Sequence, residues 1–405
     1  MTKKNVSLFL IFLSLIIVIN NSLRFYRNKT AYEMGDWLIN YQGGFVRKGL
    51  IGEFFFQIHK FADLNPALLI LFFIIFLYLS YYFVIAKFLK KIVFDKILLF
   101  VLFSPIAFFF PVFNSKASAR KEILFFSALS LLCYFLPKID KKYFFYIYAS
   151  LFIILGLSYE GFVFYYIYLI IPYLFIVQPQ KISEIKFFLL GSIFIVSLII
   201  FLTFNFHGSS NHVEAICNSI KDFANPQCTT FGQIAFLKHD ISIYLGEKFN
   251  TKINYLEPNS IFPNFITKYI TVYFIFFLVC FAPIFFLYRR SSCIILIFNK
   301  KINFILFLII PLVTTIPIYV VGMDWGRYLH ISYLSSLIIF LFLINNNLIT
   351  YKHKEEYYKN NLTFKKMFFI IFFVLFCFGW SVPFCCKTEI KSGLFRSIKI
   401  GISHL

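Results

Sequence analysis

Apolar runs of roughly 15–20 residues recur along the whole chain, separated by short polar or basic strings. The pattern predicts about eleven helical spans. They cover residues 6–19, 67–86, 97–113, 123–136, two between 143 and 177, then 187–204, 269–288, 302–321, 331–349 and 367–384. The two middle spans are divided by the polar break Ser158-Tyr159-Glu160-Gly161. Pro105 and Pro111 interrupt the third run, and such breaks need neighbouring helices or a polar cavity to satisfy the freed backbone. The expected fold class is therefore all-α, a polytopic transmembrane helical bundle forming one domain over residues 1–405. Residues 24–66 form an outer loop with an interfacial helix, and residues 205–268 form a large outer loop.

The interfacial helix is read from a second pattern. Glu53, Gln57 and Lys60 recur at helical spacing, and Phe54, Phe55, Ile58 and Phe61 fill the other side. Glu53 on that polar stripe is expected to be solvated. Gly43-Gly44 just before it serves as a turn or as a close backbone approach.

Basic residues orient the bundle. Lys3 and Lys4 precede the first run, which lacks a small-residue cleavage pattern and reads as an uncleaved signal anchor with a cytoplasmic amino terminus. The strings KFLKKIVFDK, PKIDKK and the 351–366 segment are then cytoplasmic, and most acids fall on the opposite, outer face. The net charge of +21 is thus a topology signal, and with no nucleic-acid-binding module around it, nucleic acid is set aside as a partner. Charged residues are only 14% of the 405, against 60% hydrophobic, which excludes an ordinary soluble domain. Cys217 and Cys228 are spaced to close a small disulfide loop in an oxidising compartment, while Cys385-Cys386 are adjacent. No metal-type Cys/His spacing occurs.

Four outer segments carry the unusual polar residues. They are Asp36 through Glu53 (with Trp37, Arg47 and Lys48), Ser118 through Glu122 (with Arg120 and Lys121), Tyr159-Glu160, and Asp324-Trp325-Gly326-Arg327-Tyr328. Each abuts a membrane interface. Brought together they make a headgroup-level pocket of acids, cations and aromatics. Arg and Lys bind phosphate, Arg through a fork of donors. Trp325 and the tyrosines offer faces for sugar rings. A carboxylate can act as general base, with Asp36 the leading candidate and Glu160 and Asp324 the alternatives. Paired carboxylates could instead hold a divalent metal. The substrate-binding candidates are Arg47, Lys48, Arg120, Lys121, Glu122, Trp325 and Arg327.

The arrangement of spans with these outward polar islands, among them the distinctive strings DWLINYQGGFVRKG after the first span and GMDWGRYL later, resembles in its topology the GT-C class of integral-membrane glycosyltransferases and the related O-antigen polymerase-type proteins. In those enzymes a catalytic acid in the first outer loop precedes an interfacial helix, the position Asp36 occupies here. The resemblance implies transfer from polyprenyl-phosphate or polyprenyl-diphosphate sugars at the outer face of a bacterial inner membrane, in surface polysaccharide biosynthesis. Partners implied are the lipid-linked sugar, membrane lipid, and a chain-length regulator or other polysaccharide-assembly proteins. A second acidic pair common in that class is not evident, since ARKE offers only Glu122. The alternative from another class is a lipid-linked oligosaccharide flippase or other polysaccharide transporter, which should place charge along a path through the membrane midplane.

Overall fold

The computed structural model describes residues 3–27, 32–223, 228, 232–238, 262–294, 300, 302–322, 324–351, 362–384 and 391–393. Cys385-Cys386, most of the 351–366 loop and the carboxy-terminal tail lie outside the described residues. The fold is all-α, with two minimal two-stranded ribbons. In chain order the helices are α1 Lys3–Arg27, α2 Tyr32–Trp37, α3 Leu50–Ala62, α4 Pro66–Lys90, α5 Lys96–Leu102, α6 Phe110–Phe113, α7 Glu122–Phe135 and α8 Phe144–Ser158. They continue as α9 Tyr166–Val177, α10 Lys186–Asn205, α11 Ser210–Ile220, α12 Phe262–Arg289, α13 Leu306–Thr314, α14 Ile316–Val321, α15 Trp325–Asn345 and α16 Leu362–Phe378.

Among the described residues six helical segments are long and apolar enough to cross a membrane: Lys4–Arg27, Pro66–Lys90, Glu160–Val177, Lys186–Asn205, Tyr269–Arg289 and Trp325–Asn345. Their outward faces are apolar, as bulky exposed Phe72, Phe76, Phe194, Phe201 and Phe274 illustrate. The expected count of eleven is not met by helices of spanning length. The third expected span breaks after Leu102, where Pro105 cannot donate to a continuing helix, and resumes for one turn at Phe110. The ninth divides at Thr315, just before Pro317. The fourth and fifth are helices of 14 and 15 residues.

Local chemistry sets the long elements. The Asn65 side chain accepts from the amides of Ala67 and Leu68, and Pro66 occupies the first helical position, so α4 starts cleanly there. α4 packs between α1 and α7, and α15 packs against α4, α7, α9 and α12. α15 is apolar nearly all round and is buried from Gly326 to Leu343, which makes it the axis of the bundle.

At one end of the bundle, Lys4 Nζ donates to the Lys90 carbonyl, the Tyr351 hydroxyl donates to Asp95, and strands β1 (Ser291–Cys293) and β2 (Ile349–Tyr351) pair antiparallel. The opposite end gathers α2, α3, the 3₁₀ turn Ser115–Ala119, the 3₁₀ turn Glu160–Tyr165, α11 and the start of α15.

Helix α3 is amphipathic as the sequence predicts, but its facing differs in detail. Ile51, Phe55 and Phe56 turn inward, while Phe54 and Phe61 are exposed. Glu53 is not a solvated charge. It accepts from the Tyr41 amide at 2.7 Å and from the Gln42 amide group, and Lys60 donates to Gln42 at 2.7 Å. Burial opposes its charge, but the hydrogen bonds from Gln57, Tyr41 and Gln42 and the nearby Lys60 ammonium hold the Glu53 carboxyl below its ordinary range. Glu53 thus braces the turn that leads to the site.

Candidate functional site

The Gly43-Gly44 pair is what lets the polar loop close. A Cβ on Gly43 would lie 2.7 Å from the His212 Cα, and Gly44 has φ +115°, so α11 lies directly on this backbone. The Asn40 side chain donates to Ser219 of the same helix, and the Arg47 amide donates to the Phe206 carbonyl at 3.0 Å. The close approach is to another part of the chain. Lys48 then sits at φ +57°, a left-handed conformation that costs a bulky residue roughly 1–2 kcal/mol. That turn aims its ammonium group inward.

Asp36 is held from the other direction. The neighbouring Trp37 is fully buried, and its indole N–H donates to the Ala119 carbonyl at 2.7 Å. Ser22 and Tyr78 donate to the Ser118 carbonyl at 3.2 and 2.9 Å. Together they fix the turn that delivers Arg120 and Lys121 beside Asp36.

The result is one buried ionic cluster. Lys121 Nζ lies 3.8 Å and Lys48 Nζ 3.9 Å from Asp36 Oδ1. Lys48 Nζ is also 3.9 Å from Glu160 Oε1. These separations exceed hydrogen-bonding distance. The lysines spend their donors elsewhere: Lys121 on the carbonyls of Ser158 (2.9 Å) and Lys48 (3.2 Å), Lys48 on the Gln233 side-chain oxygen (2.9 Å). Among the described residues Asp36 Oδ1 and Glu160 Oε2 are buried without a hydrogen-bond partner. Asp36 is 1% exposed, whereas the Glu160 side chain keeps 24%.

Burial opposes the charge on Asp36, yet Lys121, Lys48, Arg120 and Arg327 outweigh it and bring its pKa down to about 2. Burial dominates at Lys121, with Lys48 and Arg120 adding repulsion. Asp36 only partly compensates, and the pKa falls to about 8. Burial also raises Tyr32 to about 12.

Arg120 is 3% exposed and stacks over Tyr32, its guanidinium carbon 5.3 Å from the ring centroid. Its Nε has no hydrogen-bond partner, and it forms no salt bridge among the described residues. Arg47 is buried in the same layer and contributes to the field on Glu160.

Arg327 has a different situation. Its Nε and Nη2 both donate to Glu122 Oε1, the former at 2.6 Å, and its Nη1 donates to Asp324 at 2.5 Å. Its charge is committed to two carboxylates, and its planar head lies between Tyr159 and Phe384. Glu122 is consequently a partner of Arg327 rather than an open ligand group, and Asp324 is tied to the same fork. Trp325 donates to the carbonyls of Tyr319 and Gly322 and is ringed by Tyr269, Tyr273 and Tyr319, so its faces meet protein aromatics.

No protein-family model, curated protein or solved structure matches this chain. The functional reading therefore rests on the geometry above.

All ten sequence-derived site residues are at one end of the bundle. Asp36, Lys48, Arg120, Lys121 and Glu160 form its ionic centre, Arg47 adjoins it, and Glu122, Asp324 and Arg327 form a second group in which one guanidinium is shared by two carboxylates. Among the described residues no three His, Cys, Asp or Glu side chains cluster as metal ligands, and the cations within 4 Å of Asp36 are the two lysines.

Sequence reasoning missed Tyr32, Gln233 and His330. His330 lies one helical turn beyond Arg327, a spacing that could have drawn it in. Its Nδ1 is 2.7 Å from the Ile106 carbonyl, and its ring stacks on Phe110. With Tyr81, Glu122 and Arg327 it lines a cavity of about 20 Å³, room for a water molecule. Gln233 gives no sequence signal at all.

Proposed function

We propose that the protein is a membrane glycosyltransferase that transfers sugar from a polyprenyl-phosphate or polyprenyl-diphosphate donor at headgroup level. In this reading it extends or polymerises a surface polysaccharide at the outer face of a bacterial inner membrane. The observation that carries it is the buried Asp36 carboxylate facing two lysine ammonium groups across gaps of 3.8 and 3.9 Å, with Arg120, which has no salt bridge among the described residues, in the same cluster. Cations bind the donor phosphate and stabilise it as a leaving group. The acceptor hydroxyl attacks the anomeric carbon, the carbon–oxygen bond to phosphate breaks with its electrons going to phosphate oxygen, and the hydroxyl proton passes to a carboxylate.

A carboxyl held at about 2 is a weak base. Donor binding corrects this. A phosphate that engages Lys48 and Lys121 cancels the field that lowers Asp36, and burial then raises its basicity. Glu160, facing the same Lys48 and more open, is the second carboxylate of the pair.

Further support comes from three features. The Cys217–Cys228 disulfide closes on this end of the bundle, as suits an oxidising compartment. The exposed Phe54 and Phe61 of α3 suit a helix lying in the interface beside the site. Among the described residues the buried charges, Glu33 through Arg327, gather at one end, whereas a flippase should carry charge along a path through the membrane. We read the short and broken helices as additional passes, giving eleven with the amino terminus in the cytoplasm.

The test is turnover of synthetic polyprenyl-phosphate sugar and polyprenyl-diphosphate oligosaccharide by the purified protein in liposomes. Transfer should occur with one of them and fall about 10²–10⁴-fold in Asp36→Asn. Absence of transfer from both donors, with full translocation of a labelled lipid-linked oligosaccharide, would replace the enzyme with the transporter.

A further inference from the structure

The segment 232–238 enters the site from above, although nothing in its sequence marks it. Its position is set by three ties. Cys228 is bonded to Cys217 of α11, the Gly208 amide donates to the Leu237 carbonyl at 2.9 Å, and Ile234, Ala235 and Leu237 are buried. From this anchored turn one polar side chain points into the cluster. Gln233 accepts from Lys48 Nζ at 2.9 Å through Oε1, and through Nε2 it donates to the Tyr32 hydroxyl.

Those two partners are notable for what surrounds them. Lys48 stands 3.9 Å from both Asp36 and Glu160, so its hydrogen bond to a side chain goes to a neutral amide although two carboxylates are near. Tyr32 lies beneath Arg120, whose buried Nε has no hydrogen-bond partner among the described residues. The ammonium of Lys48 at the amide oxygen, the Tyr32 phenol at the amide nitrogen and the Arg120 guanidinium stacked over that phenol ring are together donors suited to an anionic oxygen. A glutamine amide supplies an oxygen of the right kind but no charge, and it leaves Arg120 Nε unmet.

We infer that the Gln233 amide holds the seat of a phosphate oxygen between Lys48, Tyr32 and Arg120, and that the disulfide-tied turn 232–238 is a plug which a phosphate-bearing ligand displaces. This rests on the proposed donor site and adds its gate. The ligand class is a phosphate ester or diphosphate, and its binding must break the Gln233 bonds. Affinity in the plugged form is therefore lowered by the stability of those bonds, a penalty of about tenfold for one charge-assisted hydrogen bond. The disulfide sets how strongly the turn competes, because a tether raises the effective concentration of the amide at Lys48.

The experiment is equilibrium binding of farnesyl phosphate, and separately of inorganic phosphate, to the purified full-length protein in detergent. It compares wild type with Gln233→Ala, Gln233→Glu, Lys48→Ala and the Cys217→Ser/Cys228→Ser pair. Gln233→Ala should bind farnesyl phosphate about tenfold more tightly than wild type. The cysteine pair should shift in the same direction, which supplies an arm independent of any fault in the Gln233 variant. Gln233→Glu should bind more weakly, because its carboxylate competes for Lys48 with full charge.

If Gln233→Ala and the cysteine pair bind no more tightly while Lys48→Ala binds more weakly, the plug is wrong and the phosphate site stands. If no variant binds either probe, both readings fall. If inorganic phosphate binds as tightly as farnesyl phosphate and shows the same Gln233 effect, the plug stands and the lipid-linked donor is overturned.

Discussion

Replacing Asp36 by Asn should make stability climb with pH between 6 and 8 more steeply than in wild type, where Lys121 adds almost no pH dependence over that window. The argument runs through Lys121. Its folded pKa is about 8 against an ordinary 10.5, so a protonated Lys121 in its buried position costs about 3 kcal/mol relative to the unfolded chain. The Asp36 oxygen 3.8 Å away is its main favourable contact; at an effective dielectric of about 20, Coulomb's law gives that contact about 4 kcal/mol. Losing it would carry Lys121 from about 8 to roughly 5. At pH 7 the lysine would then fold without its proton, which limits the added destabilisation from this group to between 1 and 2 kcal/mol, at about 1.4 kcal/mol per pH unit.

The sign follows from linkage. Between the lowered folded pKa and the unfolded value the unfolded chain binds more protons, so stability rises with pH. In wild type that rise begins only near pH 8. In Asp36→Asn it spans the window from roughly 5 to 10.5, and from pH 6 to 8 the variant should gain about 3 kcal/mol. Thermal or denaturant unfolding in detergent, followed by tryptophan fluorescence, reads this directly because Trp37 lies 5.9 Å from the Lys121 ammonium. Parallel pH profiles for the two proteins would refute the account of the cluster.

Arg327→Ala should be far more damaging to folding than Arg120→Ala, by about 3–5 kcal/mol, because it strands Glu122 and Asp324, whereas Arg120 holds no salt bridge among the described residues; detergent-solubilised yield and Tm check this. Arg327→Lys keeps the charge but loses the two-nitrogen contact to Glu122 and should also impair activity strongly. Gly326→Ala places a Cβ 1.9 Å from the Pro383 carbonyl oxygen and should cost about 1–3 kcal/mol in unfolding. Cysteine introduced at the exposed positions Asp63 and Ser209 should label from one side of the membrane and cysteine at Asp140 from the other, and labelling of Asp63 and Ser209 from opposite sides would dismantle the site.

The convergence of the acids and cations was legible because charge next to an apolar run is rare and has few places to go. Asp36, Arg120, Lys121, Glu160 and Arg327 stood out for that reason. What each of them touches was not legible. Arg327 and Glu122 are 205 positions apart, and only the packing of α15 on α7 makes them partners. Glu53 was misjudged because a helical stripe specifies a face, while the loop that folds back onto that face came from Tyr41 and Gln42. The eleven-span pattern located the apolar segments, and Pro105 marked the break in the third; the single helical turn that follows at Phe110 and the division of the ninth at Thr315 were not legible. Gln233 was invisible because an amide in a polar loop is the commonest of signals.

The donation from Lys121 to the carbonyls of both Lys48 and Ser158 has a mechanical consequence. One ammonium group pins the left-handed turn at Lys48 to the carboxyl end of α8, with the fixed turn before α7 as its post. The three strands of chain meeting there are far apart in sequence, yet none can shift alone. A ligand that pulls on Lys48 therefore strains the Lys121 pin and, through Ser158, the backbone that leads into Glu160. Both carboxylates of the cluster would register the same event, one through its charge and the other through its position.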